Sequence, residues 1–167
     1  MPKTPLDIEV FKGPTRRYRS VLHRADGVEV ELDGGAYNRL GRREVPHDIA
    51  HLIVEDELGL DRGVWGVLAA GGLFRGASVK AGRQKPHAAR RGREIVAASA
   101  EQLNHAEMLV RAVCDAAVPG ERWWPEAIPE SVLARAHERL GRAADDWARL
   151  EPGGVLRFSW DDRPRPR

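Results

Sequence analysis

The chain has 167 residues, 42% of them hydrophobic and 31% charged, with 27 Lys plus Arg against 25 Asp plus Glu and a formal net charge of +2. That length suffices for one domain with its own hydrophobic core, and the composition excludes a disordered or membrane-embedded chain. One cysteine, Cys114, excludes an intramolecular disulfide and a multi-cysteine zinc site. The longest weakly polar run, Gly63 to Phe74, falls far short of the roughly 20 residues a membrane-spanning helix needs. No secretory-signal pattern opens the sequence, so the expected compartment is the cytoplasm.

The first third alternates with a period of two. Asp7 to Lys12 and Arg17 to His23 read as strands, Asp26-Gly27 as a hairpin turn, and Val28 to Leu32 as the strand that follows. Gly34-Gly35 ends that strand, and Ala36 to Glu44 is a polar connection. A helix is predicted from Pro46 to Leu58, stopped by Gly59, with Pro46 suited to the first helical position. A second, closely packed helix is read in Gly63 to Phe74, and Gly76 to Gly92 as an exposed basic loop. One long helix follows from about Arg93 to Val118, with Ile95, Val96, Leu103, Leu109, Val110 and Val113 on its apolar side. Trp123-Trp124 is a packing anchor after the Pro119-Gly120 break. The last helix runs from Glu130 to Leu150, and Val155 to Trp160 is a closing strand. The expected fold is α+β: a small antiparallel sheet, an N-terminal meander plus the C-terminal strand, with about four helices. Residues 1–160 form the domain, and 161–167 a basic, proline-spaced tail.

Charge is polarised more than it is basic. No acid occurs between Arg62 and Arg93, and seven of the residues from Arg75 to Arg93 are Lys or Arg. Such a stretch attracts phosphates or an acidic partner. With only Phe74 and His87 nearby as stacking faces, no nucleic-acid-binding residues are assigned.

The chemistry concentrates in Pro46-His47-Asp48-Ile49-Ala50-His51-Leu52-Ile53-Val54-Glu55. Helical residues four apart lie only about 40° apart around the axis, so His47, His51 and Glu55 form one row with Asp48 beside it. Apolar residues border this polar stripe on both sides, which implies that it is at least partly buried and needs partners. A divalent metal is one such partner, since two histidines at this spacing can aim ring nitrogens at one ion. Glu55, or His105 on the long helix, is the candidate third ligand. Asp48 in the first turn also complements the helix dipole, and Asp56 and Glu57 read as a solvated side.

The spacing resembles the His-Glu-x-x-His helix of zincin-type hydrolases. That resemblance implies that His47 and His51 bind zinc and that Asp48, in the place of the Glu, acts as general base on a metal-bound water. The wider string, continued through Gly63-Val64-Trp65-Gly66, is similar to small uncharacterised bacterial proteins of actinobacterial type, a likeness that brings no function with it.

Two functions follow. One is a small zinc-type metal-dependent hydrolase acting on a small-molecule substrate through His47, His51, a carboxylate and Asp48. The alternative is a non-enzymatic module whose exposed tryptophans dock a partner or a second copy, the His/Asp/Glu stripe being structural.

Overall fold

The computed structural model describes residues 5–37, 39–40, 43–115 and 128–161. The predicted Trp123-Trp124 anchor, residues 116–118 of the long helix and the end of the tail lie outside them.

The architecture is α+β, as the sequence implies. Strands β1 (Leu6–Lys12), β2 (Arg17–His23) and β3 (Glu29–Ala36) form an antiparallel meander. Its register is fixed by alternation: Leu6, Ile8, Val10, Tyr18, Ser20, Leu22 and Val30 are buried, with the charged residues between them on the other face. The β2–β3 turn is the predicted one, with the Asp26 carboxylate accepting from Val28 N at 3.2 Å and Arg24 N donating to Val28 O at 2.9 Å. A ribbon of two short strands, β4 (Arg39–Leu40) and β5 (Arg43–Glu44), leads into helix α1 (His47–Leu58). Pro46 is the residue before the first helical position, and Gly59 closes the helix in the left-handed conformation at φ 68°.

Helix α2 (Val64–Ala69) is one short helix inside the predicted apolar segment. The expected basic loop is an exposed loop only over residues 82–87. The same stretch also supplies β6 (Ala77–Ala81), which pairs with β3, and the start of α3 (Ala88–Ala98). The expected long helix is two helices, α3 and α4 (Ala100–Asp115), parted at the buried Ser99. Helix α5 (Glu130–Arg149) and strand β7 (Val155–Trp160) match expectation, and β7 joins the sheet beside β1. The sheet order is β6-β3-β2-β1-β7, antiparallel throughout.

Helix α1 is sandwiched. Every residue from Asp48 to Glu55 is buried, because the sheet lies on one side and α4, α5 and α2 pack on the others. Asp56 and Glu57 are not solvated as expected: Arg139 of α5 holds them at 2.6 and 2.9 Å, and Arg135 reaches Glu57 at 3.0 Å. Trp65, Trp147 and Trp160 are core residues, so none of the described tryptophans offers the exposed docking face of the alternative function. No helix among the described residues is long and apolar enough to cross a membrane.

Helix α5 joins the core through Ala136, Leu140, Ala143 and Trp147, spaced at helical periodicity. Truncating the 1% exposed Leu140 to Ala will cost about 2–5 kcal/mol in denaturant unfolding. The same change at Arg142, whose side chain is 74% exposed, will stay within about 0.5 kcal/mol.

Candidate metal centre

His47 and His51 lie one turn apart on α1, ring centroids 4.3 Å apart. Glu107 of α4 faces both. Its Oε1 is 2.9 Å from His47 Nε2, its Oε2 is 2.8 Å from His51 Nε2, and the two ring nitrogens are 3.2 Å apart. These atoms form a His47–His51–Glu107 group close enough to hold one metal ion. The His51 side chain is fully buried, whereas those of His47 and Glu107 are 45% and 58% exposed, so the group opens on one side to solvent.

Glu55 does not join this group. It sits on the opposite edge of the His51 ring, where its Oε1 accepts from His51 Nδ1 at 2.8 Å. The same oxygen accepts from Val64 N at 2.7 Å, and Oε2 accepts from Trp65 N at 3.2 Å. The first amides of α2 thus satisfy a carboxylate that is 0% exposed. Gly63 makes this approach feasible: a Cβ there would fall 2.2 Å from the Glu55 carboxyl carbon.

Asp48 is likewise turned elsewhere. Its oxygens accept from Ser20 Oγ at 2.7 Å and Tyr18 Oη at 3.2 Å, both on β2, and the nearer approach to His47 is 4.0 Å at Nδ1. Its backbone carbonyl accepts from Trp65 Nε1 at 3.0 Å. Burial first, then the charge of Asp48, pushes the Tyr18 phenol well above its usual range, so Tyr18 remains a donor. Asp48 therefore ties the first turn of α1 to the sheet. His105 is half-buried on α4 and outside the His47–His51–Glu107 group.

Glu107 is the residue that the sequence reading missed. A signal existed: Leu103, Glu107, Val110 and Cys114 are spaced by four, three and four residues, which places Glu107 in a row of otherwise apolar α4 positions.

The hydrogen-bond pattern fixes which ring nitrogen does what. Glu55 already accepts from two backbone amides, so the His51 nitrogen facing it is a donor and Nδ1 carries hydrogen. In a neutral ring, Nε2 would then aim its lone pair at a Glu107 oxygen 2.8 Å away. Acceptor against acceptor is repulsive, so a positive species belongs there: a proton on Nε2 or a metal ion. Without metal it is the proton. Burial opposes a charge on His51, but hydrogen bonds and charges from Glu107 and Glu55 outweigh it and raise the ring from 6.5 to about 9. Hydrogen bonds from His47 and His51 hold Glu107 well below the usual carboxylate range, against the opposing effect of burial.

Comparison of the chain with family models, with curated proteins and with solved structures finds no match.

In chelator-treated protein the His51 ring will titrate near 9 by NMR, and Glu107→Gln will lower that midpoint. Because the folded value is raised, the stability from charged His51 is complete below 6.5 and is lost as pH rises through about 9. The contribution of Glu107 has the opposite sign, present above 4.5 and lost as pH falls towards its depressed value. An unfolding free energy that stayed flat from pH 6.5 to 10 would contradict a charged His51. Gly63→Ala will displace Glu55 and lower Tm by several degrees.

Proposed function

We propose that this protein binds one divalent metal ion, zinc in the first place, through His47 Nε2, His51 Nε2 and Glu107, and acts as a metal-dependent hydrolase on a small substrate. The supporting observation is the spacing of the donor atoms, at 2.8, 2.9 and 3.2 Å. Ligands about 2.0–2.1 Å from a tetrahedral zinc are about 3.3 Å apart; the two ring nitrogens already stand at 3.2 Å, and one oxygen of Glu107 would complete the set, Oε1 approaching His47 and Oε2 approaching His51. A set of three protein ligands leaves one tetrahedral position for water or substrate, the pattern of catalytic sites as opposed to closed structural ones. The exposed edges of His47 and Glu107 lie on the side from which a substrate would arrive. Glu55 would orient His51 and raise its basicity as a ligand, the usual part of a carboxylate behind a metal-bound histidine. Metal at this place would lower the pKa of a bound water and polarise an ester or amide carbonyl. Asp48, with both oxygens occupied by hydroxyls, would hold His47 in place and not serve as the base the zincin resemblance implies. A single cysteine, Cys114, which can form no disulfide within the chain, suits a cytoplasmic setting.

A second function has its own support. Glu107 satisfies both rings by itself, so the group also works as a polar staple between α1 and α4 with no ion.

Metal analysis and zinc titration of protein purified without an affinity tag separate the two. The metal function predicts one zinc per chain, lost in His51→Ala and weakened at least tenfold in Glu107→Gln and His47→Gln, with folding checked by circular dichroism. Zinc must displace the His51 proton, so apparent affinity will rise about tenfold per pH unit below 9. Folded wild-type protein that takes up no zinc at pH 8 leaves the staple as the function of the group.

A further inference from the structure

A second cluster lies outside the His-rich helix, where the acid-free stretch of sequence folds against the β2–β3 turn. Between β6 and α3 the chain borders a cavity of about 290 Å³, whose walls include Arg24, Asp26, Lys85 and Arg91. Arg24 has a largely buried side chain, 14% exposed, and its Nε and Nη2 are engaged by Asp26. Its remaining arm, Nη1, lies beside Gly71, another residue of the same wall. Lys85 and Arg91 have no acidic partner among the described residues. Three positive charges against one negative leave the cavity two charges positive. Ala70, Ala88 and Ile95 supply an apolar portion of the same wall.

Fold stability does not account for these charges. The first turn of α3 has no acid, and Arg90, Arg91 and Arg93 crowd the N-terminal part of an 11-residue helix, the end at which the helix dipole disfavours cations. Among the described residues Arg90 alone of the three makes an ion pair, with Glu94 at 3.6 Å on an exposed surface, which contributes little. Arg91, one of these arginines, lines the cavity, and charge set against its own helix is the kind of local conflict expected at a functional site.

We propose that this cavity binds a small phosphate monoester, with the phosphate dianion held by Lys85, Arg91 and the free arm of Arg24, and the carbon body against Ala70, Ala88 and Ile95. The net charge of the wall matches a dianion, and Arg and Lys are the side chains that bind phosphate oxygens through charge-assisted hydrogen bonds. A cavity of about 290 Å³ admits a phosphate with a few carbon atoms, at the small end of ligand sites. The site is independent of the metal centre.

The test is an amide NMR titration of the full chain in chelator, first with inorganic phosphate and then with glycerol phosphate, at low salt. Saturable shifts confined to 24–26, 70–71 and 84–95 are expected, with the monoester binding several-fold tighter than inorganic phosphate. The exposed pair Lys85→Ala and Arg91→Ala will weaken binding at least tenfold, while Arg75→Ala with Arg83→Ala leaves it unchanged. No saturable shift for either probe overturns the proposal, as does an equal loss in the two double variants. Tighter binding of a random-sequence oligonucleotide, weakened equally by both double variants, would make this an extended polyanion surface and overturn it too.

Discussion

Two ionisable side chains, Glu55 and His51, meet at zero exposure in the middle of the core, and the arrangement of the helices follows from that contact. A carboxylate removed from water requires donors, and the nearest ones are the first amides of α2. Helix α2 must therefore start against α1, which only a residue without a side chain at position 63 permits. His51, held by Glu55 at Nδ1, has one direction left for Nε2, towards α4. Removing either partner leaves the other buried without its counterpart, which costs far more than an exposed pair is worth.

A second set of bonds makes the orientation rigid. Asp48 fastens the first turn of α1 to Tyr18 and Ser20 of the sheet, and Trp65 fastens the start of α2 to the carbonyl of Asp48. His47 thus inherits its position from the sheet and His51 from α2. Glu107 alone comes from a distant part of the chain, 60 residues beyond His47, and completes the group only when α4 packs on α1.

What was legible in the sequence reflects the range of the forces involved. Strands β1, β2 and β3, the Asp26-Gly27 turn, helices α1 and α5 and strand β7 announce themselves through alternation, helical periodicity, and Gly and Pro punctuation, all local signals. The pairing of His47 with His51 is likewise local. Strand β6 carries a single β-branched residue, Val79, between glycines and basic residues, and becomes a strand because β3 offers it an edge. The break at Ser99 has neither Gly nor Pro to announce it and comes from burial of that residue between α3 and α4. The same distinction separates the site residues. Glu55 was read as a ligand because it shares a helix face with His51, but the amides that claim it belong to α2. His105 stands out in the sequence as the histidine of α4, but it is two residues from Glu107 and therefore roughly 200° around the helix from the face that meets α1.

A staple and a metal centre would be two occupancies of one place. With Nδ1 of His51 committed to Glu55, the space between the two Nε2 atoms and the Glu107 carboxylate has to hold positive charge, and proton and metal compete for it. Here the buried His51 supplies position, while His47 and Glu107 keep one edge in solvent. A metal ion in that space would have an open side for exchange of its water, and the same open side keeps the His47–Glu107 ion pair partly hydrated when no metal is bound.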